Sequence, residues 1–255
     1  MQKYYEINAP DHNIRCKLYS LDPKALAAAD KAVIFGTGFA GHKDNNAAKG
    51  FAEKLISKHK NAIVIVFNWP SHGDDVKKKI ALEDCMTYLD MVVRDTETRF
   101  GITERYAYAT SFGGYLFLKY ISERGNPFRK IALRCPAVDM YDVLTRTIMQ
   151  GDEAEQIRKG RDAQVGFDRK ITVTREFLKS LRGNDIRKRD FLDWAEDILI
   201  LHGTADEVVP FEDSRSFADE QLMEFVPVEG ADHRFQNPTH MSLANKAVMQ
   251  WFGLA

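Results

Sequence analysis

Short continuous runs of apolar residues alternate along the chain with segments whose apolar residues recur every three or four positions. The runs lie at 32–35, 62–67, 106–110, 130–135 and 198–201. A short continuous apolar run predicts a strand that is buried on both faces, and the three-and-four repeat predicts an amphipathic helix. The alternation therefore predicts an α/β fold, with a mostly parallel central sheet and helices on both faces.

Both ends of the chain add elements to this sheet. Residues 3–20 hold two short alternating runs separated by Pro10-Asp-His-Asn, which is typical of a β-hairpin at an antiparallel edge. A last strand is predicted over 222–228, and apolar residues at helical spacing from Leu243 to Phe252 predict a closing helix.

Residues 139–194 interrupt the alternation. They are highly charged, basic on balance, and hold one clear amphipathic patch, from Ile171 to Leu181. The segment is too short for a core of its own, and the strand pattern resumes after it. We therefore predict a single domain over 1–255 that carries a cap insertion at about 139–194. A disordered, solvated excursion is the alternative.

Composition excludes several classes of partner. Of 255 residues, 44% are hydrophobic and 29% charged, and 36 basic residues nearly balance 37 acidic ones. No overall charge favours nucleic acid or an anionic membrane surface. The first residues lack the apolar stretch of a secretory signal, and no run approaches the about 18 apolar residues of a membrane span. We expect a cytoplasmic protein that acts on a small molecule, and a homodimer remains open.

The three cysteines, Cys16, Cys85 and Cys135, fit no spacing of metal ligands. Cys85 lies on the apolar face of a predicted helix, and Cys135 ends an apolar run. Buried free thiols are therefore expected, with no metal and no cofactor.

The most informative stretch is Tyr106-Ala-Tyr-Ala-Thr-Ser111-Phe-Gly-Gly. An apolar run stops at a serine, and two glycines then open a segment of helical spacing. Small residues two before and two after the serine, Ala109 and Gly113, allow the strand and the helix to approach each other. This is the nucleophile elbow G-x-S-x-G, with alanine in the first glycine position. The backbone N–H of Phe112 would face an oxyanion formed by attack of Ser111.

Two polar residues follow the ends of late strands. Asp206 comes after the strand at 198–201, and His233 follows the last strand. Ligands of open α/β sheets bind at the carboxyl ends of the strands. The order serine, acid, histidine predicts that His233 takes the proton of Ser111 while Asp206 holds the imidazole tautomer.

Other side chains compete for these roles. His72 and His202 are the alternative bases, although His202 ends its strand in a turn where it would satisfy loop amides. Asp232 and Glu229 are the alternative partners of the histidine, but both are too close to His233 in sequence to reach its far nitrogen easily.

Five motifs together resemble the serine-dependent α/β-hydrolases, and among them the bacterial cinnamoyl and feruloyl esterases. The motifs are Gly38-Phe39-x-Gly41, Pro70-Ser-His72-Gly73, Ser111-Phe-Gly-Gly114, His202-Gly-x-x-Asp206-x-x-Val209-Pro210 and Glu229-Gly-Ala-Asp-His233-x-Phe235. The likeness spans nearly the whole chain. It implies an oxyanion hole made by the backbone N–H groups of Phe39 and Phe112, and a cap that shapes the acyl pocket.

Three departures from that family stand out. Thr37 replaces the usual histidine before Gly-Phe, Asn68 replaces a frequent aspartate, and Ala109 replaces the first glycine of the elbow. The first would loosen the support of the oxyanion loop, and the third would shift the elbow slightly. No reacting group is lost.

The pattern predicts a serine esterase that acts on small or aromatic acyl groups through an acyl-enzyme intermediate. An acyl thioesterase or small peptidase would use the same groups, and a ligand-binding protein without activity is a third class. Apolar and aromatic residues of the cap, namely Met140, Tyr141, Phe167 and Phe177, are predicted to line the acyl pocket.

Overall fold

The computed structural model describes residues 1–254. An eight-stranded sheet runs through the protein in the order β1-β2-β4-β3-β5-β6-β9-β10, and a separate hairpin is formed by β7 and β8. The strands are β1 Gln2–Ala9, β2 His12–Tyr19, β3 Lys31–Gly36, β4 Ala62–Phe67, β5 Glu104–Thr110, β6 Lys130–Arg134, β7 Ala163–Val165, β8 Ile171–Val173, β9 Ile198–Gly203 and β10 Glu224–Val228.

The sheet is parallel from β4 to β10 and antiparallel where β2 joins β1 and β4. The predicted mostly parallel α/β fold and its antiparallel hairpin edge are therefore confirmed. The opposite edge is β10, which contains Pro227 in its interior. The predicted last strand begins two residues too early, because Leu222 has a φ of 56° and belongs to the turn before β10.

Helices cover both faces of the sheet. They are α1 Pro23–Ala27, α2 Asn46–Lys58, α3 Leu82–Phe100, α4 Phe112–Arg124, α5 Met140–Asp142, α6 Glu153–Arg158, α7 Arg175–Gly183, α8 Phe211–Glu220 and α9 Pro238–Trp251. Within residues 1–254, no helix combines the length and the apolar character needed to cross a membrane.

Alternate residues of the central strands enter two separate cores. In β4, Ile63 and Ile65 pack in the core that includes α3, α4 and α8, whereas Val64 and Val66 pack in the core that includes α2 and α9. Burial on both faces explains why these strands read as continuous apolar runs instead of alternating ones.

The predicted insertion lies between β6 and β9 and contains α5 to α7, the β7–β8 hairpin, a π-helical turn at Val143–Ile148 and 3₁₀ turns at Ile186–Lys188 and Leu192–Asp197. The single amphipathic patch predicted over 171–181 divides into β8 and α7. Thr174 separates them, because its side chain accepts a hydrogen bond from the Phe177 amide and caps the helix.

Candidate active site

Ser111 occupies the sharp turn between β5 and α4. Its backbone has φ 53° and ψ −119°, a strained conformation for a residue with a side chain. The turn is fixed by hydrogen bonds from the Ser111 amide to the Arg134 carbonyl (3.0 Å) and from the Ala137 amide to the Ser111 carbonyl (3.2 Å). Ser111 is 8% exposed, so its side chain is held at the sheet edge with limited access to solvent.

The turn requires small residues on both sides. A Cβ atom at Gly113 would lie 2.7 Å from the carbonyl oxygens of both Gly36 and Thr37, so α4 packs directly on the backbone of the loop after β3. A Cβ atom at Gly38 in that loop would lie 3.2 Å from the Ser111 Cβ. Ala109, in the first small position of the elbow, is adjacent to Gly36 in the sheet.

Asp206 lies in the loop after β9, and its side chain is completely buried. Oδ1 accepts hydrogen bonds from the backbone amides of Val208 and Val209, both at 2.8 Å. Oδ2 contacts His233 Nδ1 at 2.7 Å and His202 Nε2 at 3.1 Å. Burial opposes ionisation of this carboxyl, but the hydrogen bonds from His202 and His233 outweigh it and hold the pKa of Asp206 well below its usual range.

His233 follows β10, and its side chain is 13% exposed. The hydrogen bond from Nδ1 to Asp206 leaves Nε2 as the nitrogen available to a second partner. Ser111 and His233 line the same cavity, which has a volume of about 730 Å³. Within residues 1–254 the Ser111 hydroxyl is not hydrogen-bonded to His233, and such contacts are often long when no substrate is bound.

The competing histidines occupy different positions. His202 lies behind Asp206, with Nε2 also 3.2 Å from the Val209 carbonyl and Nδ1 buried without a partner. His72 is fully buried below the loop after β3, and burial lowers its pKa to about 4. Neither lines the cavity that contains Ser111.

The competing acids are also separate from His233 Nδ1. Asp232 accepts hydrogen bonds from the amides of Arg234 and Gln236 and so shapes the turn that carries His233. Glu229 is exposed and has no hydrogen bond within the part of the chain that the structure describes.

Two backbone amides next to Ser111 have no partner among residues 1–254. They belong to Phe39, in the loop after β3, and to Phe112, the first residue of α4. Their rings are in edge-to-face contact at 5.7 Å, and the His72 ring stacks on Phe112 at 6.2 Å. The two amides are therefore mounted on a packed aromatic cluster.

The loop that carries Phe39 is supported in spite of the departures noted in the sequence. Thr37 contributes through its backbone, because its carbonyl accepts a hydrogen bond from the Trp69 indole at 2.8 Å, while its hydroxyl is buried without a partner. Asn68 accepts a hydrogen bond from the Lys43 amide at 2.8 Å and donates one to Asp74 at 2.5 Å. Thus Trp69 and Asn68 brace the loop.

The predicted pocket residues separate into three locations. Phe167, at the tip of the β7–β8 hairpin, lines the cavity that contains Ser111. Met140 and Tyr141 line a second, smaller cavity of about 150 Å³ that does not contain Ser111. Phe177 is buried against the ring of Phe112. The structure thus brings only Phe167 to Ser111 and His233.

Arg134 and Met241 line the cavity and were not predicted from the sequence. Arg134 ends β6 and is paired with Thr110 in the sheet, next to Ser111. Met241 comes from α9, more than 100 residues away. One signal was available for Arg134, since it is a charged residue at the carboxyl end of a core strand.

The cysteines are free and buried, as expected. The structure does bring potential ligand atoms of Cys135, His202 and Asp206 within 4.8 Å of one another, a grouping that no sequence spacing indicated. Burial and the nearby Asp206 charge raise the pKa of the Cys135 thiol well above its usual value. The Asp206 carboxylate of this set is already hydrogen-bonded to His233 and to the amides of Val208 and Val209.

Comparison with solved structures defines the class of the protein. Est1E from Butyrivibrio proteoclasticus, in its structure with ferulic acid bound, has a TM-score of 0.79 at 17% identity over 97% of both chains. A hydrolase from Agrobacterium vitis S4 has a TM-score of 0.76 at 16% identity, over 98% of this chain and 99% of that one. A Paleococcus ferrophilus monoacylglycerol lipase has a TM-score of 0.65 at 17% identity, over 99% and 100%. The chain has the α/β-hydrolase fold.

The family follows from the sequence itself. Residues 67–254 match the prolyl oligopeptidase family, and the chain belongs to that family of hydrolases. No curated protein matches the chain in sequence. The sequence-based assignment to the serine α/β-hydrolases is confirmed.

Proposed function

We propose that the protein hydrolyses carboxylic esters through an acyl-enzyme formed on Ser111. The observation that carries this proposal is the 2.7 Å hydrogen bond between Asp206 and His233, next to a cavity that also contains Ser111 on its strained turn. A buried, ionised Asp206 fixes the proton on His233 Nδ1 and leaves Nε2 to act as the base.

The reaction has two halves. Ser111 Oγ bonds to the ester carbonyl carbon while its proton passes to His233 Nε2, and His233 then protonates the departing alcohol. Water, deprotonated by His233, then attacks the acyl carbon. The bond to Ser111 Oγ breaks, the acid is released, and the proton on His233 returns to Ser111. In each half the free amides of Phe39 and Phe112 stabilise the negative oxygen of the tetrahedral intermediate.

The proposed substrate is an ester of a small or aromatic acid. A cavity of about 730 Å³ has room for such a group, and its apolar lining includes Phe39 and Phe167. The ferulic acid held by Est1E, which has the same fold, supports an aromatic acyl group. Peptide hydrolysis is the second candidate, because the chain belongs to the prolyl oligopeptidase family.

A cytoplasmic location and a homodimer stay predictions. The three buried free thiols are compatible with a reducing compartment. The mass of the protein in solution tests the homodimer.

The test combines a covalent probe with matched substrates. A fluorophosphonate should label the wild type and not Ser111→Ala. Asp206→Asn should keep its fold by circular dichroism but lose roughly 10⁴-fold in kcat, because the amide would favour the wrong imidazole tautomer. Labelling of Ser111→Ala would exclude Ser111 as the nucleophile, and near wild-type turnover of Asp206→Asn would favour Asp232 or Glu229.

Substrate class is resolved in the same assay. p-Nitrophenyl esters of acetic and hydroxycinnamic acids, acyl-coenzyme A thioesters and prolyl p-nitroanilides present different leaving groups to the same serine. Because p-nitrophenyl esters are intrinsically more reactive than anilides, each rate is divided by the uncatalysed rate. A larger enhancement for the esters supports the esterase, and a larger enhancement for the anilides supports the peptidase.

A further inference from the structure

Arg134 places a buried guanidinium group at the candidate active site. It is the last residue of β6 and is only 6% exposed. It lines the cavity that contains Ser111 and His233, as do Phe235 and Met241, whose side chains contact its guanidinium group.

In the part of the chain that the structure describes, the guanidinium group has no anionic partner. Within residues 1–254, no carboxylate lies within 4.0 Å of it. Among the same residues, Nε is buried without a hydrogen-bond acceptor, and Nη1 is hydrogen-bonded to the thioether sulfur of Met241 at 3.1 Å. The buried Tyr108 hydroxyl lies near the guanidinium group, but it is neutral and makes no hydrogen bond with it. The Phe235 ring lies 5.0 Å from Cζ. A thioether is a weak acceptor, and an aromatic face compensates only part of a buried charge.

The other buried cations of the described chain each have a carboxylate partner. Lys17 pairs with Asp44 at 2.8 Å, Lys43 with Asp74 at 2.6 Å, and Lys119 with Glu123. Burial of a charge without a partner is expensive, which explains why these lysines have carboxylates. Arg134 departs from that rule, and it lines a cavity in which a ligand can supply the missing anion.

The backbone is strained at two residues next to the guanidinium group. Cys135, directly after Arg134, has a φ of 47°, and Phe235, which packs on the guanidinium, has a φ of 56°. Non-glycine residues with positive φ persist where the surrounding structure fixes them. The arrangement is therefore a built one and not a freely rotating surface arginine.

The side chains at the mouth of the cavity are mainly positive, like Arg134. Arg169 and Arg234 also line it and are exposed. Arg234 is paired with Asp168 at 3.2 Å, whereas Arg169 has no carboxylate within 4.0 Å among residues 1–254. The lining thus has three guanidinium groups and one exposed carboxylate, which favours the entry of an anion.

We propose that the substrate carries a carboxylate that binds Arg134 while its ester group lies at Ser111. This proposal rests on the esterase function proposed above and names its substrate class, the monoesters of dicarboxylic acids. The planar guanidinium pairs well with a carboxylate, and one buried cation matches a single negative charge better than the double charge of a phosphate monoester. The carboxylate takes no part in bond making.

Matched esters provide the first arm of the test. p-Nitrophenyl hydrogen glutarate and p-nitrophenyl methyl glutarate differ only in the charge of the remote group. The wild type should prefer the charged ester by roughly 10-fold or more in kcat/KM, since a hydrogen bond to a charged group supplies that much. Arg134→Met should lose this preference, and Arg134→Lys should keep part of it. Arg215→Gln is the control, because it makes the same change of charge at an exposed position of α8, and it should retain the preference. A wild type that hydrolyses both esters without preferring the charged one overturns the proposal.

Binding without turnover provides the second arm and separates the two proposals. Calorimetry on Ser111→Ala should show that monomethyl glutarate binds more tightly than dimethyl glutarate. The additional Arg134→Met substitution should remove this difference in affinity. That result supports the anion site even if the wild type hydrolyses no ester, in which case only the esterase function fails. Equal binding of the two glutarates, or tighter binding of methyl phosphate, overturns the carboxylate assignment.

Discussion

At the scale of single residues, His72 has an unusual pKa because its side chain is enclosed by the protein. His72 is completely buried, with Nδ1 2.9 Å from the Pro70 carbonyl and Nε2 without a partner. Its ring stacks on Phe112, whose amide is one half of the proposed oxyanion hole. Burial lowers the pKa of His72 from its ordinary value of 6.5 to about 4.

This shift predicts a specific loss of stability in acid. The pKa of His72 is lower in the folded state than in the unfolded state, so protonation favours the unfolded chain. The free energy of unfolding is therefore unaffected by the protonation of His72 above pH ~6.5 and decreases as the pH falls from there towards 4. At pH 5 the loss would be about 2 kcal/mol. His72→Asn keeps an N–H near the Pro70 carbonyl but cannot titrate. Urea unfolding at pH 7.5 and 5 should therefore show a smaller decrease for the variant than for the wild type. Equal decreases would mean that His72 is protonated in the folded state.

Ser111, Asp206 and His233 were identifiable from the sequence because each follows a run that is visibly a strand. Parallel strands bring those points to one edge of the sheet. The sequence indicates Arg134 only as part of an apolar run. Its place at the cavity could not be predicted, because its burial depends on Phe235 and Met241 from the far end of the chain. The position of His202 behind Asp206 likewise depends on the fold of the loop between them.

At the scale of elements, the elbow and the loop after β3 form one packed unit. Gly113 touches the carbonyls of Gly36 and Thr37, two residues before the Phe39 amide. Any side chain on this face of α4 must displace the loop that carries that amide.

Gly113→Ala should therefore damage both stability and reactivity. We expect a loss of roughly 1–3 kcal/mol in the free energy of unfolding, together with slower labelling of Ser111 by a fluorophosphonate. Gly50→Ala is the matched control, because Gly50 lies in α2 and an added Cβ there meets nothing within 4 Å. The control should be neutral or slightly more stable. Normal labelling of Gly113→Ala would indicate that the loop and α4 move independently.

The insertion reaches the candidate site mainly through one small element, the tip of the β7–β8 hairpin. Of its residues, only Ile148 and the hairpin tip Phe167, Asp168 and Arg169 line the cavity with Ser111. The Phe167 ring lies 5.7 Å from the guanidinium carbon of Arg234, which holds it at the cavity mouth. Periodicity predicted an insertion with an amphipathic patch, but the hairpin pairing within it could not be read from strands of three residues.

Phe167→Ala should change substrate preference. Loss of the ring should lower the ratio of kcat/KM for hydroxycinnamate over acetate esters by roughly 10-fold, since apolar contacts in a pocket contribute about 1–3 kcal/mol. Tyr141→Ala provides the control, because Tyr141 lines the other cavity. An unchanged ratio in Phe167→Ala, or an equal change in Tyr141→Ala, would contradict a role of the hairpin tip in selecting the acyl group.

At the scale of the whole molecule, two cores on opposite faces of the sheet leave the carboxyl ends of the strands as the place where polar groups converge. The sequence predicted this layout because strands buried on both faces must be covered by helices. The β10 edge was harder to predict than the β1 edge, since the residues of β10 are mostly partly exposed and follow no strict period.

The proline inside β10 has a consequence for association between molecules. An open edge strand offers its free amide and carbonyl groups as a template for a strand from another chain. Pro227 has no amide hydrogen, so this edge cannot form an uninterrupted ladder with a partner strand. A dimer that extended the sheet from molecule to molecule would therefore have to use β1 at the opposite edge, and β10 is protected against strand-mediated aggregation.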